Sequence, residues 1–206
     1  MKKTIICSLP FKKDVQKVYY EKNNISFEVA DHPVRFPINS VLEKNVTDGD
    51  ELKIILLVKH DKNNYYEDNK KMFIDELKDS IGSKNINIKT EELYTEFSED
   101  REIHEKLLGD IIDKIEDGSD IIADITYGPK DVPIIIFAAL NFCEKHLGCN
   151  IEGIVYGQAQ FGENNIITEG KMCDMSSLFF LNSLADTVEC RDSEKSRQLL
   201  KTLLTL

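Results

Sequence analysis

The stretch Asp120-Ile-Ile-Ala-Asp-Ile-Thr-Tyr-Gly-Pro-Lys-Asp-Val-Pro133, followed at once by the apolar run Ile134 to His146, constrains the fold more than any other part of the chain. An apolar segment of strand length that enters an apolar helix through a short polar turn is a βα unit, and such units build parallel sheets. The turn also carries chemistry. Backbone N–H groups, the Thr126 hydroxyl and the Lys130 ammonium gather where a helix begins, a geometry that binds phosphate. Gly128 lets a ligand approach the backbone, and Pro129 suits a first helical turn. Many α/β domains have such a connection and bind nothing there, so these residues alone leave both readings open.

The rest of the chain continues the alternation. Lys3–Leu9 and Leu52–Val58 read as buried strands, the latter a continuous apolar run of interior type. Gln16–Tyr20 and Ile25–Val29, separated by Glu-Lys-Asn-Asn, read as a hairpin. Short strands are expected at 86–90, 121–125, 151–156 and 165–168, with Gly157–Asn164 as the turn joining the last two. Helices are expected at 37–45, 65–81, from Ser98 to Gly118, at 134–147, 176–187 and 193–204. The expected fold is α/β: a Rossmann-like, mostly parallel sheet with helices on both faces and a small antiparallel addition. In such sheets ligands bind beyond the carboxyl ends of the strands, here near Cys7–Phe11, Lys59–Asp61, Thr126–Lys130 and Tyr156–Gln160. Ser8, with Lys12 and Lys13 behind it, is suited to a ribose or phosphate, although a solvated loop explains any one of these lysines.

Charge and side-chain chemistry narrow the function. A net charge of −11 argues against a general binder of long nucleic acid. Residues 91–120 hold twelve acidic side chains against three basic, whereas the first 24 residues hold six lysines against two acids, so an anion is still welcome near the first loop. No apolar run reaches the roughly 18–20 residues that span a bilayer, so no membrane association is expected. Five cysteines without CxxC spacing read as reduced thiols of a cytoplasmic protein. Four isolated histidines in no HxxxH or HExxH pattern give no sequence support for a metal site, and no cofactor is implied. His60 and Asp61 follow a strand and could face the cleft, though a loop histidine without function accounts for them. The Walker A loop, the GxGxxG fingerprint and the GxSxG elbow are all absent.

The segment Asp124-Ile-Thr-Tyr-Gly-Pro-Lys-Asp-Val-Pro133 resembles the signature turn of CRISPR-associated Rossmann-fold (CARF) sensor domains, in the branch whose motif reads Asp-Ile-Thr-His-Gly-Phe-Arg-x-x-Pro. A first strand ending in a Ser-containing loop, the Tyr-rich segment after it, and the later Ile-Val-Tyr-Gly strand are similar as well. Met175-Ser-Ser-Leu-Phe-Phe-Leu sits where such domains place Asp-Leu-Thr before a helix. The resemblance covers residues 1–187, with 188–206 as a helical tail that begins either an effector or a dimer element. The tail has no Arg-x4–6-His pattern of a HEPN ribonuclease, which leaves a solitary sensor or the sensor half of a longer protein.

The resemblance implies a homodimer that binds a cyclic oligoadenylate, the second messenger of type III CRISPR antiviral defence, across its twofold axis. It favours tetra-adenylate over hexa-adenylate. It also implies ligand contacts at Thr126, Tyr127, Gly128 and Lys130, and at Ser8, Leu9 and Pro10. Phe11, Tyr127 and Tyr156 are then the candidate walls for adenine, against the plainer reading of core or dimer packing, and Pro129 completes the turn. The chain departs from the motif: Tyr127 stands for His, Pro129 for Phe and Lys130 for Arg, which keeps the charge but loses the bidentate fork. Two rival readings follow. One is a metal-independent ring nuclease that positions a ribose 2′-hydroxyl against its phosphate, with Ser8 and Lys130 as the residues to test. The other is an unrelated α/β nucleotide-binding regulatory domain.

Overall fold

The computed structural model describes residues 1–59, 65–96, 98–188 and 192–204, which fall into two compact units, Met1–Asp174 and Met175–Leu206. The first unit contains strands β1 (Lys2–Ser8), β2 (Tyr20–Asn23), β3 (Glu51–Val58), β4 (Asn87–Tyr94), β5 (Asp120–Asp124), β6 (Asn150–Phe161) and β7 (Ile167–Asp174). Its helices are α1 (Pro37–Asn45), α2 (Tyr65–Ile81), α3 (Arg101–Lys114) and α4 (Val132–His146). The strands form one sheet in the order β2-β7-β6-β5-β1-β3-β4, parallel throughout except for the antiparallel pair β6–β7. The expected architecture is the one observed.

Two-sided burial explains why the central strands are apolar without alternation. On one face Ile5, Cys7 and Leu9 of the first strand and its loop join Ile54, Leu56, Ile122 and Val155. They pack there with Val41 and Leu42 of α1 and with Phe73 and Leu77 of α2. The alternate residues Ile6, Ile55, Ala123 and Ile154 are equally buried and point to the opposite face. There α3 and α4 supply Leu107, Ile111, Ile136 and Leu140. From β1 the chain winds through β3 and β4 to one side, then crosses to β5 on the other. The winding therefore reverses direction between β1 and β5, the switch point at whose carboxyl side such sheets commonly bind ligands.

The structure corrects several local expectations. No hairpin forms over 16–29: β2 is Tyr20–Asn23, it pairs in parallel with β7, and Val18 bridges Val34 instead. The Glu-Lys-Asn stretch taken for a turn is most of the strand. As an edge strand it tolerates exposed charge, which also blunts the edge. Strand β7 makes room for it, since a Cβ at Gly170 would stand 2.4 Å from Val18 Cγ1 and 2.6 Å from the Tyr19 carbonyl oxygen. Strand β4 runs past residue 90 to Tyr94. Its carboxylate Glu91 lies near Lys53, Lys89 and Lys114, and these ammonium groups hold it down to about 2, against burial. The turn placed at 157–164 lies later, at 162–166, where Asn164 and Asn165 adopt φ of 57°. Helix α4 starts at Val132, so the proline of its first turn is Pro133 and not Pro129.

The second unit holds α5 (Ser176–Thr187) and α6 (Ser193–Leu203). Asp192 caps α6 by accepting hydrogen bonds from the amides of Glu194 and Lys195 at 3.0 and 3.1 Å. Among the described residues no helix is long and apolar enough to cross a membrane.

Gly157 shows how closely the crevice is built. A Cβ there would stand 2.4 Å from Pro37 Cγ and 3.1 Å from the Tyr20 ring, both held in the core. Gly157→Ala is therefore expected to destabilise the protein by about 1–3 kcal/mol through overpacking. Urea unfolding should show a lower midpoint at an unchanged slope.

Candidate anion-binding crevice

Register brings the two predicted loops together. Cys7 pairs with Asp124 across β1 and β5, so both strands end at the same level and their loops leave side by side. Gly128 has φ +108°, a conformation glycine adopts without strain. A Cβ on it would lie 3.2 Å from Ser8 Oγ, which places the Ser8 hydroxyl directly beneath the turn. Ser8 is 2% exposed, and its hydroxyl has no hydrogen-bond partner among the described residues. Burying such a group unpaired costs about 1–3 kcal/mol.

The turn is stiffened from within. Asp124 Oδ1 accepts the Thr126 amide at 2.8 Å, closing a tight turn two residues long. Thr126 Oγ1 accepts the Gly157 amide at 2.8 Å and ties the turn to β6. Tyr127 is half-buried against the main core, and its hydroxyl donates to the Arg35 carbonyl at 3.0 Å. Burial raises its phenol, with the neighbouring Tyr20 hydroxyl adding to the effect.

These bonds leave a distinct set of donors. The Val132 amide donates to the Pro129 carbonyl, and those of Ile134 and Ile135 donate to the Asp131 carbonyl. The first turn of α4 is thus largely satisfied, and Pro133 has no N–H to offer. The amides of Tyr127, Gly128, Lys130 and Asp131, by contrast, have no acceptor among the described residues. Where such amides converge they form an anion-binding nest. The unpaired donors therefore lie in the turn itself, ahead of the helix start expected from sequence. Lys130 is exposed and makes no ion pair among the described residues.

The other predicted residues divide by burial. Leu9 and Pro10 are buried, Leu9 within the core, so only their backbone borders the crevice. Pro129, Phe11 and Tyr156 are half-buried. Tyr156 alternates with Gly157, whose open side meets Pro37 of α1, so its ring lies on the opposite face of the sheet. His60 and Asp61 lie outside the described residues.

Two residues of the crevice escaped the sequence reading. Asn69 of α2, 1% exposed, donates to the Pro10 and Lys12 carbonyls at 2.5 and 3.1 Å and so fixes the loop after β1. A polar residue on the inner stripe of α2 was the available signal. His104 of α3 comes within 3.1 Å of Asp131, next to Lys130. Nothing in its sequence neighbourhood points to that meeting.

No protein-family model matches the chain, and no curated protein is significantly similar to it. Fold and crevice define an α/β protein with an open, doubly wound sheet and a donor-rich turn at its switch point.

Asp124 makes the crevice sensitive to pH. It is 2% exposed, and burial pushes its carboxyl up to about 6, against the lowering effect of the Thr126 hydrogen bonds. The ordinary value, near 3.9, applies in the unfolded chain. Between the two the folded state holds the extra proton, so stability falls as pH rises through that window and levels off above it. Asp124→Asn carries no such charge. Relative to the wild type it should gain stability on the order of 3 kcal/mol between pH 4 and pH 7. Paired urea titrations across that range measure the difference.

Proposed function

We propose that the chain is a CARF-type sensor that binds a cyclic oligoadenylate, tetra-adenylate in preference to hexa-adenylate, across a homodimer in type III CRISPR defence. One observation carries the reading. At the switch point of the sheet, a turn with four amides that have no acceptor among the described residues passes, at Gly128, over a buried serine hydroxyl that likewise has no partner among them, and it carries an exposed lysine. Phosphate oxygens satisfy donors of each of these kinds. The same turn carries the segment 124–133 that resembles the family's signature.

A dimer follows from the ligand's shape. A ring of alternating sugars and phosphates has twofold symmetry, and an isologous interface presents the same cradle twice. Ser8, Gly128 and Lys130 contact phosphate or ribose in this scheme, and the buried Leu9 and Pro10 take part through the backbone. Phe11 and Tyr156 remain the candidates for stacking on adenine. Tyr127 and Thr126 hold the turn's shape, since their hydroxyls already bond to Arg35 and Gly157.

Melting the protein with each cyclic oligoadenylate, followed by chromatography of the recovered ligand, tests the proposal. Bound ligand raises the apparent melting temperature by mass action. Cyclic tetra-adenylate should raise it and return intact. Lys130→Ala should weaken the apparent Kd at least tenfold while melting like the wild type without ligand. A linear product with a 2′,3′-cyclic phosphate would instead establish the ring nuclease. A protein that responds to neither ring has a different ligand, and the reading fails.

A further inference from the structure

We propose that Glu99, His104 and Asp131 bind one divalent cation of borderline character, such as Zn²⁺ or Mn²⁺, between α3 and the turn that carries Lys130. Each residue offers one ligand atom, and the three atoms lie within 4.8 Å of one another. A tetrahedral ion with bonds of 2.0–2.2 Å separates its ligand atoms by roughly 3.3 Å. His104 Nε2 and Asp131 Oδ2 are already 3.1 Å apart.

The orientation of that pair is the stronger argument. Despite the short distance, Nε2 makes no hydrogen bond among the described residues, and neither does the other carboxylate oxygen, Asp131 Oδ1. Both atoms are shielded from solvent. An imidazole and a carboxylate that stabilise each other alone align N–H with oxygen. Here they sit at co-ligand distance without that alignment, as two groups do when their lone pairs converge on a third point. Glu99 is exposed in the bend that precedes α3 and supplies a third oxygen.

One imidazole with two carboxylates leaves coordination positions open for water or another ligand. It suits zinc or manganese better than magnesium, which prefers an all-oxygen shell. No lysine or arginine pairs with any of the three among the described residues, so their negative charge is uncompensated. A second group, Asp31, His32 and Glu43, has comparable spacing but a different character. There His32 Nε2 already bonds Glu43 Oε2 at 2.7 Å. Lys44 stands 3.3 Å from the same carboxylate and 3.7 Å from Asp31. That group is internally satisfied and serves as the control.

The site explains why no motif was visible. Glu99 and His104 lie five positions apart, while Asp131 belongs to a different element, and only the packing of α3 against α4 joins them. A cation there adds positive charge one residue from Lys130, whatever the crevice binds, so the inference does not rest on the ligand proposed above.

Chelator-stripped full-length protein titrated calorimetrically with Zn²⁺, and with Co²⁺ followed by visible absorption, tests it. One equivalent should bind, with excess Mg²⁺ failing to compete. His104→Ala and Glu99→Gln should each weaken binding at least tenfold, and His32→Ala should leave it unchanged. Glu99 is exposed, so its variant reports on the site without risk to folding. A wild-type protein that takes up no metal overturns the inference. So does uptake that survives both His104→Ala and Glu99→Gln, or that is lost only in His32→Ala.

Discussion

The parallel pairing of β1 with β5, in which Cys7 lies opposite Asp124, is the constraint on which the crevice depends. It ends both strands at one level and puts Ser8 under Gly128. The two ends of the sheet then differ in kind. At the amino end, buried polar groups are paired: Lys3 with Glu152 at 2.6 Å, Thr4 with Ser119 at 3.0 Å, and the chain's amino group with Asp50 at 2.8 Å. At the carboxyl end, Ser8 Oγ is buried without a hydrogen-bond partner among the described residues. Most buried polar groups in folded proteins are satisfied, and those that are not concentrate where a ligand or ion completes them. The asymmetry falls along the axis that α/β sheets use for binding.

An acidic protein with an anion cradle involves no contradiction. The net charge of −11 acts at long range and is screened over about 8–10 Å at physiological salt. The proposed cradle would act at hydrogen-bond distance through neutral amides, which carry no net charge to be screened. Such an arrangement suits a compact anion held at a few points. A long polyanion instead calls for an extended basic track.

Much of the fold was legible in the sequence because the central strands are buried on both faces. Leu52–Val58 has a single polar residue, Lys53, and Ile121–Ala123 has none, while Tyr65–Ile81 shows its helical stripe directly. What was not legible rests on distant partners. The edge strand β2 carries exposed Glu21, Lys22 and Asn23 and is a strand only because β7 accepts it. The long arms of β6 and β7 continue through Gly157 and Gly170, which read locally as breakers and act as places of close approach. The site was half legible. The sequence shows a strand, a glycine and a lysine in order, but not the Ser8 hydroxyl under the turn, Asn69 holding the neighbouring loop, or His104 arriving from α3.

The turn also separates residues that build a site from residues that can meet a ligand, although motif reading treats them alike. Asp124 and Thr126 close the bend, Thr126 anchors β6, and Tyr127 reaches back to Arg35. Each spends its polar group on the protein. Because those side chains carry the shape, the backbone amides from Tyr127 to Asp131 have no acceptor among the described residues, apart from Pro129, which has no N–H to give. A rigid turn whose side chains point inward and whose amides stay unpaired is preorganised for an anion, since the ordering cost falls on folding rather than on binding. The lysine then adds a charge that is free to adapt, so the cradle combines a fixed part with a mobile one.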